Sequence, residues 1–581
     1  MESRERLSEL FEEMAELLEL SGANPFKVRA YRTAARTLLA HAMPLAQLLN
    51  SPPKGFGKTM CGHVGEFVTT GRFAEMDNLK ASFPAGLFEM LRVPGLGPKK
   101  VCILRDQLGI DDLAKLEAAC ADGRILGLKG FGEKSVKNIT EGIELVKRFS
   151  GQFLFAAAEL PARQLVSWLC REAPGAEYHV AGSFRRCRET VRDLDVLAAT
   201  DGAPAVMDAF VRFPGVRKVI ASGETKTSIL LENGMQVDLR TVLPESLGPA
   251  LCHFTGSKEH NTQMRSLALA KGMKLNEYGL YGGAAGAGDT ALPLSAEQDV
   301  YGALGLEWVA PELREGMGEI DWAGTGKLPR LVAVEDLKGA IHAHTTASDG
   351  GADLAGMANG ATALGWKWFG ISDHSVSAHY ARGLDAQAIK AQWREIDEWN
   401  RVHSPTGLYV LKGIESDIRT DGSLDYPPEI LEGFDFIIAS VHSGFTMSRE
   451  EMTRRVVRAV ENPFTSVLGH PEGRLLLTRE GYEIDLDRVL EACVINRVAV
   501  EINAQPQRLD LDWRRVRAWR DRGLMFVIGP DAHDPESLAF VRYGLGIARK
   551  GALEARCLLN SMSGEEVISW FRESRSGRKG I

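Results

Sequence analysis

No stretch of the sequence approaches the roughly 18 uncharged apolar residues of a membrane span, and the opening segment, MESRERLSELFEEMAELLELSG, has helical periodicity and many acids. It lacks the basic start and apolar run of an export signal, so the expected location is the cytoplasm. Cysteine is also sparse. The eight thiols (Cys61, Cys102, Cys120, Cys170, Cys187, Cys252, Cys493, Cys557) are scattered without a CxxC pair, which argues against a disulfide framework or a zinc ribbon and for reduced thiols. A basic excess is missing from the whole chain, whose net charge is -8. The acids, however, are unevenly placed. Residues 21–150 carry 19 Lys and Arg against 12 Asp and Glu, a local excess that suits a phosphate-tracking region joined to a carboxylate-rich one.

What is present is enough chain for several cores. At 581 residues the sequence exceeds the ~100–200 residues of one domain. Residues 1–150 read as helices joined by short glycine turns. From about 175, β-branched runs such as VLAAT and MQVDLRTV alternate with helical segments in an α+β pattern. Residues 283–335 are rich in Ala, Gly and Pro, and the linker is placed at 319–337. Beyond it, short strands (KWFGISDH, LYVLKGIES, FDFIIASVH, FTSVLGH, VAVEINA, LMFVIGPDAH) alternate with helices, predicting an α/β barrel with its polar residues at the C-terminal strand ends.

Three turns of one type punctuate the first region: Gly55-Phe56-Gly57-Lys58, Gly95-Leu96-Gly97-Pro98-Lys99 and Gly130-Phe131-Gly132-Glu133-Lys134. A Gly-x-Gly turn before a helix lets a phosphate approach the free amides and positive end of that helix. A single copy would also serve as a plain helix–helix turn. Three copies, each with a lysine in or after the turn, favour the phosphate reading.

Two constellations carry chemistry. In AGSFRRCRETVRDLDVL, Asp193 and Asp195 occupy positions i and i+2, one face of a strand, with Leu194 and Val196 packed behind; Asp238 in MQVDLR supplies a third carboxylate from a neighbouring strand. Such a trio holds two Mg²⁺ ions, one activating a hydroxyl and one gripping a triphosphate. In the C-terminal region His342 and His344 sit on one strand face, the spacing that chelates an ion. Asp349, Asp373-His374, Glu415, His442, His470 and Asp531-Ala532-His533 follow. Mixed nitrogen and oxygen donors of this kind suit Mn²⁺, Zn²⁺ or Fe²⁺ better than Ca²⁺. Arg382, Arg474 and Arg508 are candidate phosphate contacts, although most arginines are ordinary surface residues.

These segments, together with NPFKVRAYRTAARTL (Asn24 to Leu38) and FTGSKEHNTQMRSLALAKGMKLNEYGLY (Phe254 to Tyr281), resemble bacterial and archaeal-type family X DNA polymerases with a C-terminal PHP (polymerase and histidinol phosphatase) domain. The resemblance implies a multidomain chain. Its parts are an α-helical helix-hairpin-helix DNA-end-binding domain (1–80) and a second with two further hairpins (81–150), a nucleotidyltransferase palm (151–245), a thumb (246–318) and a distorted, β7α7-like PHP barrel (338–575). By that resemblance Gly182, Ser183 and Arg186 hold the triphosphate, Phe254 and Gly256 flank the sugar, Asn261 faces the incoming base and Arg265 lies on the template side. Asp193 and Asp195 bind both Mg²⁺ or Mn²⁺ ions, and Asp238 binds the catalytic one and orients the primer hydroxyl. A trinuclear PHP centre is likewise implied: His342, His344, Glu415 and Asp531 on one ion, Glu415, His442 and His470 on a second, Asp349, His374 and His533 on a third.

The expected activities are gap-filling synthesis in repair, including base excision repair, and a 3′-5′ exonuclease or 3′-phosphoesterase. Expected partners are gapped or nicked DNA and dNTPs, with no membrane, for a monomer associated with the nucleoid. The alternatives are a nuclease with a decayed polymerase and a polymerase with an inactive PHP scaffold; both complete ligand sets speak against them. Two departures stand out. His63 occupies the position of the Schiff-base lysine found in relatives with lyase activity, and an imidazole cannot form that bond. His253 replaces the tyrosine that usually precedes Phe254.

Overall fold

The computed structural model of the chain describes residues 2–40, 52, 56–70, 73–282, 291–403 and 407–576. They divide into two compact units, one of Met1–Ser150 with Leu477–Arg479 and one of the remainder from Gly151.

In the first unit, α1 (Glu2–Leu20) and α2 (Pro25–Ala40) bury Leu7, Phe11, Met14 and Leu18 against Tyr31, Ala34 and Leu38, the i, i+3/i+4/i+7 spacing of an amphipathic helix. Asn24 starts α2 by accepting a hydrogen bond from the Phe26 amide at 2.9 Å, an Asx-type cap. The hairpin helices α3 (Lys58–Thr70), α4 (Pro98–Leu108) and α5 (Glu133–Phe149) each begin directly after the second glycine of a Gly-x-Gly turn. Gly95 and Gly130 adopt φ of +79° and +93°, a region that costs an ordinary side chain and costs glycine little. Gly55 lies outside the described residues.

The second unit opens on a five-stranded sheet: β1 (Glu177–Val180), β2 (Asp193–Ala199), β3 (Val216–Ser222), β4 (Lys226–Leu231) and β5 (Gln236–Val242), in the order β1-β2-β5-β4-β3. Only β2 and β5 run parallel. Alternation divides the residues of β2. Leu194, Val196 and Ala198 enter the core beneath α6 (Phe155–Glu172), while Leu197 and Ala199 pack on Leu247 and Leu251 of α7 (Leu247–Thr255). The aspartates share this second face, so they look toward the following domain. That domain holds α8 (Lys258–Ala270), the hairpin β6 (Met273–Asn276) and β7 (Gly279–Gly282), and a core of Met264, Leu280, Tyr301 and Leu313.

Its core continues into the stretch assigned to a linker. Glu319–Thr325 is helical, Glu319 is fully buried on His260 at 2.8 Å, and Ala323 joins the same cluster. The glycines and proline of the surrounding sequence conceal this, because the helix is short and one of its anchors is a buried hydrogen bond between Glu319 and His260.

Seven strands then form a parallel sheet in sequential order: β8 (Gly339–Ala340), β9 (Trp368–Ile371), β10 (Tyr409–Asp417), β11 (Phe436–Ser440), β12 (Val467–Leu468), β13 (Ala499–Asn503) and β14 (Phe526–Gly529). A parallel bridge between Ala343 and Ala532 brings its two ends together, so the sheet is nearly closed. Inward residues Trp368, Leu411, Phe436, Ile438 and Val527 fill one end with Phe571 of the last helix, α9 (Gly564–Ser576). Outward Ile414, Ile437, Val500 and Ile502 pack under the surrounding helices. With its lower end plugged by carbon, the barrel has room for polar groups only at the C-terminal ends of its strands.

Candidate functional site

Register creates the palm site. Asp195 on β2 stands opposite Asp238 on β5, and Asp193 lies on the same face two residues earlier. Burial, then Asp193 and Asp238, push the Asp195 carboxyl up to about 6. Burial and Asp238 also raise Asp193. Three acids this close repel one another until a cation arrives. Burial works against Asp238 too, but hydrogen bonds from Lys226, Gln236 and Ser228 outweigh it and hold its carboxyl low; Lys226 Nζ lies 2.5 Å from its Oδ2. The trio therefore suits divalent ions, with Lys226 as a cation already beside it.

Gly182 begins the short helix Gly182–Arg185, which follows β1 directly and carries Ser183. Its φ is +65°, and a Cβ there would stand 2.3 Å from Asp195 Oδ2. The glycine is thus required twice, by conformation and by space. Arg186 donates from Nη1 to the Thr255 carbonyl and from Nε to Glu315 Oε1 at 3.2 Å. Gly256 turns directly beneath that guanidinium. The Phe254 ring carries Arg240 at 4.7 Å. Asn261 donates to the His253 carbonyl at 2.7 Å, and Arg265 Nη2 lies 2.9 Å from His253 Nδ1. His253, Asn261 and Arg265 line one small cavity with Pro249, Met264 and Asn276, so His253 stands among the expected nucleotide contacts.

In the barrel, Glu415 stands at the centre of the ligand set. His374 Nδ1, His470 Nε2, His442 Nε2 and His342 Nε2 lie 2.9, 3.1, 3.2 and 3.3 Å from its oxygens. Asp531 Oδ1 lies 3.4 Å from His344 and 3.6 Å from His342. Asp349 meets His533 at 3.5 Å and His374 at 3.7 Å. Three overlapping groups result, in which His342, His344 and Glu415, then His374, Glu415 and His442, then His344, Asp349, His374 and His533 each fall within coordinating range of one ion. All nine expected side chains converge. His344 and His374 fall between groups instead of belonging to one.

Several of these atoms are buried without a hydrogen-bond partner: both ring nitrogens of His344, Nε2 of His342, Nδ1 of His374 and of His470, and Oε2 of Glu415. A group of lone-pair donors left unsatisfied in the interior is the state that metal coordination relieves. Burial, followed by His533 and His374, pushes His344 down to about 3, which keeps the ring neutral as ligation demands. His342, His470 and Asp531 adopt φ of +71°, +24° and +50°, a backbone cost of roughly 1–3 kcal/mol each that collects at functional positions.

The supporting shell was not read from the sequence. Glu501 hydrogen-bonds His342 Nδ1 and accepts from the His470 amide at 2.7 Å. Asp417 pairs with His442 Nδ1 at 2.6 Å. The signal was present: in VAVEINA the period-2 alternation that sends Val500 and Ile502 outward sends Glu501 and Asn503 into the barrel. Gly529 makes the room, since a Cβ there would meet Glu501 Oε1 at 2.1 Å. Of the three arginines, Arg508 stands 3.6 Å from Asp531 and Arg382 has left-handed backbone. Arg474 is half-buried, and its three guanidinium nitrogens bond Asp512 and the Arg508 and Leu509 carbonyls, so it pins a loop and is not available to a substrate.

In the first unit Lys58, Lys99 and Lys134 are exposed at the helix starts, with Gly57, Gly97 and Gly132 preceding their helices. Lys100 closes the second turn by donating to the Gly95 carbonyl at 2.9 Å. His63 is buried against Phe73, with ring centroids 4.6 Å apart, and bonds Tyr31 at 2.9 Å and Glu75 at 3.1 Å. It is a packing residue of the helical core.

Comparison with known proteins agrees with this architecture. The chain matches the helix-hairpin-helix domain over residues 2–73, the SAM-like helix-hairpin-helix tandem over 88–144, the DNA polymerase beta thumb over 250–315 and the PHP domain over 340–505. The class is therefore a polymerase-type thumb and palm joined to a metal-binding PHP barrel. The DNA polymerase/3′-5′ exonuclease PolX of Bacillus subtilis is 35% identical over 97% of this chain and 98% of its own, and the chain belongs to the PolX family. A probable phosphatase of Shewanella sediminis is 26% identical over 41% of this chain and 94% of its own length. The crystal structure of Leishmania infantum polymerase beta in a ternary P/T complex is 23% identical and covers 40% of this chain and 99% of that one, with a TM-score of 0.27.

Proposed function

We propose that the chain fills short gaps in DNA during repair and trims or cleans 3′ ends in its PHP barrel. The observation that carries the first activity is the in-register pairing of Asp195 with Asp238, beside Asp193 and under a glycine turn that no other residue could form. Divalent ions bound there would supply charge neutralisation for the triphosphate and a more acidic primer hydroxyl. Ser183 and Arg186 would hold the phosphates, Phe254 and Gly256 the sugar, Asn261 the base edge and Arg265 the template side. Mg²⁺ or Mn²⁺ fits the all-carboxylate palm, whereas Mn²⁺, Zn²⁺ or Fe²⁺ fits the histidine-rich barrel. In the barrel, Arg508 beside Asp531 is placed to meet a phosphate. The exposed hairpin lysines would hold the backbone of gapped or nicked DNA without reading its bases.

The test uses a 5′-phosphorylated one-nucleotide gap. Asp193→Ala with Asp195→Ala is expected to abolish primer extension and leave metal-dependent 3′ degradation intact. Loss of both activities together would refute two independent sites.

A further inference from the structure

The helix Val541–Lys550 on the outside of the barrel ends on a lysine whose side chain is fully buried. A desolvated ammonium survives only where each of its donors is met, and here the acceptors come from outside the barrel. Lys550 Nζ donates to the Arg186 carbonyl at 2.9 Å and to Glu315 Oε1, with the Glu312 carbonyl at 3.5 Å. Its ammonium also stands 4.7 Å over the Trp513 ring. Glu315 in turn takes Arg186 Nε at 3.2 Å on one oxygen and Arg188 Nη1 at 3.3 Å on the other. The lysine thus grips Arg186 twice, directly at its backbone and through Glu315 at its guanidinium.

Other contacts join the barrel to the palm and thumb without touching this arginine. Arg542 pairs with Glu159 at 2.9 Å, and Arg549 with Glu312 at 2.7 Å. Lys550 differs in that its bonds end on a side chain read as a triphosphate contact. The Arg186 bonds to Thr255 and Glu315 occupy Nη1 and Nε, and no hydrogen bond among the described residues takes Nη2.

We propose that Lys550 of the PHP domain is a positioning residue for the polymerase site: with Glu315 it fixes the guanidinium plane of Arg186 so that the remaining donors meet the incoming triphosphate. The inference rests on the reading of Arg186 as a triphosphate contact. A planar fork is useful only when its plane is set; removing the partner that orients a metal-ligating side chain typically costs ~10–100-fold, and the same scale is expected for an oriented guanidinium.

The experiment is steady-state single-nucleotide insertion by the full chain on a 5′-phosphorylated one-nucleotide gap, with dNTP varied and 3′ degradation measured in parallel. Lys550→Met and Glu315→Gln are each expected to raise the KM for dNTP roughly tenfold, with a smaller change in kcat and degradation preserved. Arg542→Ala, which removes a separate and more exposed contact between barrel and palm that does not touch Arg186, is expected to leave KM unchanged. Should Lys550→Met also lose degradation, the fold has been damaged and Glu315→Gln decides. The proposal is overturned if Glu315→Gln leaves KM unchanged while Arg186→Ala raises it, or if Arg542→Ala raises KM as much as Lys550→Met. If Arg186→Ala itself leaves KM unchanged, the triphosphate reading fails and the inference with it.

Discussion

Individual side chains set the tolerance of both sites. Gly182 occupies left-handed backbone, and an added methyl would overlap the Asp195 carboxylate. Gly182→Ala is therefore expected to slow primer extension by about 100-fold, the scale of an ångström-sized misplacement, while 3′ degradation is untouched; normal extension by this variant would show that Asp195 is free to move. Glu501 acts from behind His342 and His470. Glu501→Gln keeps the shape and removes the charge, so bound metal in the barrel is expected to fall ~10–100-fold in affinity, read by metal analysis after dialysis. Unaltered retention would place Glu501 among merely structural acids. At this scale the sequence was legible for residues that recur as motifs, the DxD pair and the HxH pair. For Glu501 and Asp417 the alternation shows that each faces inward, but not which imidazole each supports, because that partner lies on another strand.

Elements decide how the sites are held. Between palm and thumb, Glu297 is paired with Arg314 at 2.6 Å and with Arg185 at 2.8 Å. Burial opposes its ionisation, but Arg314 and Arg185 outweigh it and bring its carboxyl down from 4.5 to about 2. A depressed folded-state value contributes stability above the unfolded value that is lost as pH falls through the folded one. The contribution is on the order of 3 kcal/mol at neutral pH and declines between about 4.5 and 2. Glu297→Gln should accordingly lower the melting temperature at pH 7 and converge on the parent protein near pH 2. A gap that stays constant with pH would mean that packing, not charge, is lost. Six of the seven barrel strands and the hairpin helices were readable from apolar rhythm and glycine placement; the first strand, Gly339–Ala340, is too short to show a rhythm. The helix Glu319–Thr325 was not, since it is only seven residues long and flanked by glycines, and Glu319, which anchors it on His260, is a buried carboxylate that no apolar pattern marks.

At the scale of the whole molecule, charge and site are segregated. The hairpin unit carries the local basic excess, and its lysines contact phosphate in the proposed reading. Affinity for gapped DNA should fall linearly in log–log form with salt, and Lys99→Ala with Lys134→Ala should reduce that slope by about 2, close to 0.9 for each lost phosphate contact; an unchanged slope would remove those hairpins from the interface. The sequence by itself determined the local matters: which strand presents the paired carboxylates, which turns need glycine, and that His63 cannot serve as a Schiff-base lysine. Each follows from the chemistry or periodicity of a few consecutive residues. His342 and His344, expected on one strand face, instead follow the strand that ends at Ala340, with His342 in left-handed backbone. The tertiary structure alone decided that Asp195 faces Asp238 in register, that eight other candidate ligands gather with Glu415 at the strand ends, and that Lys550 reaches Arg186 across 364 positions of chain. Those are distances between residues remote in sequence, fixed by strand register, barrel closure and domain packing, and no local pattern encodes them.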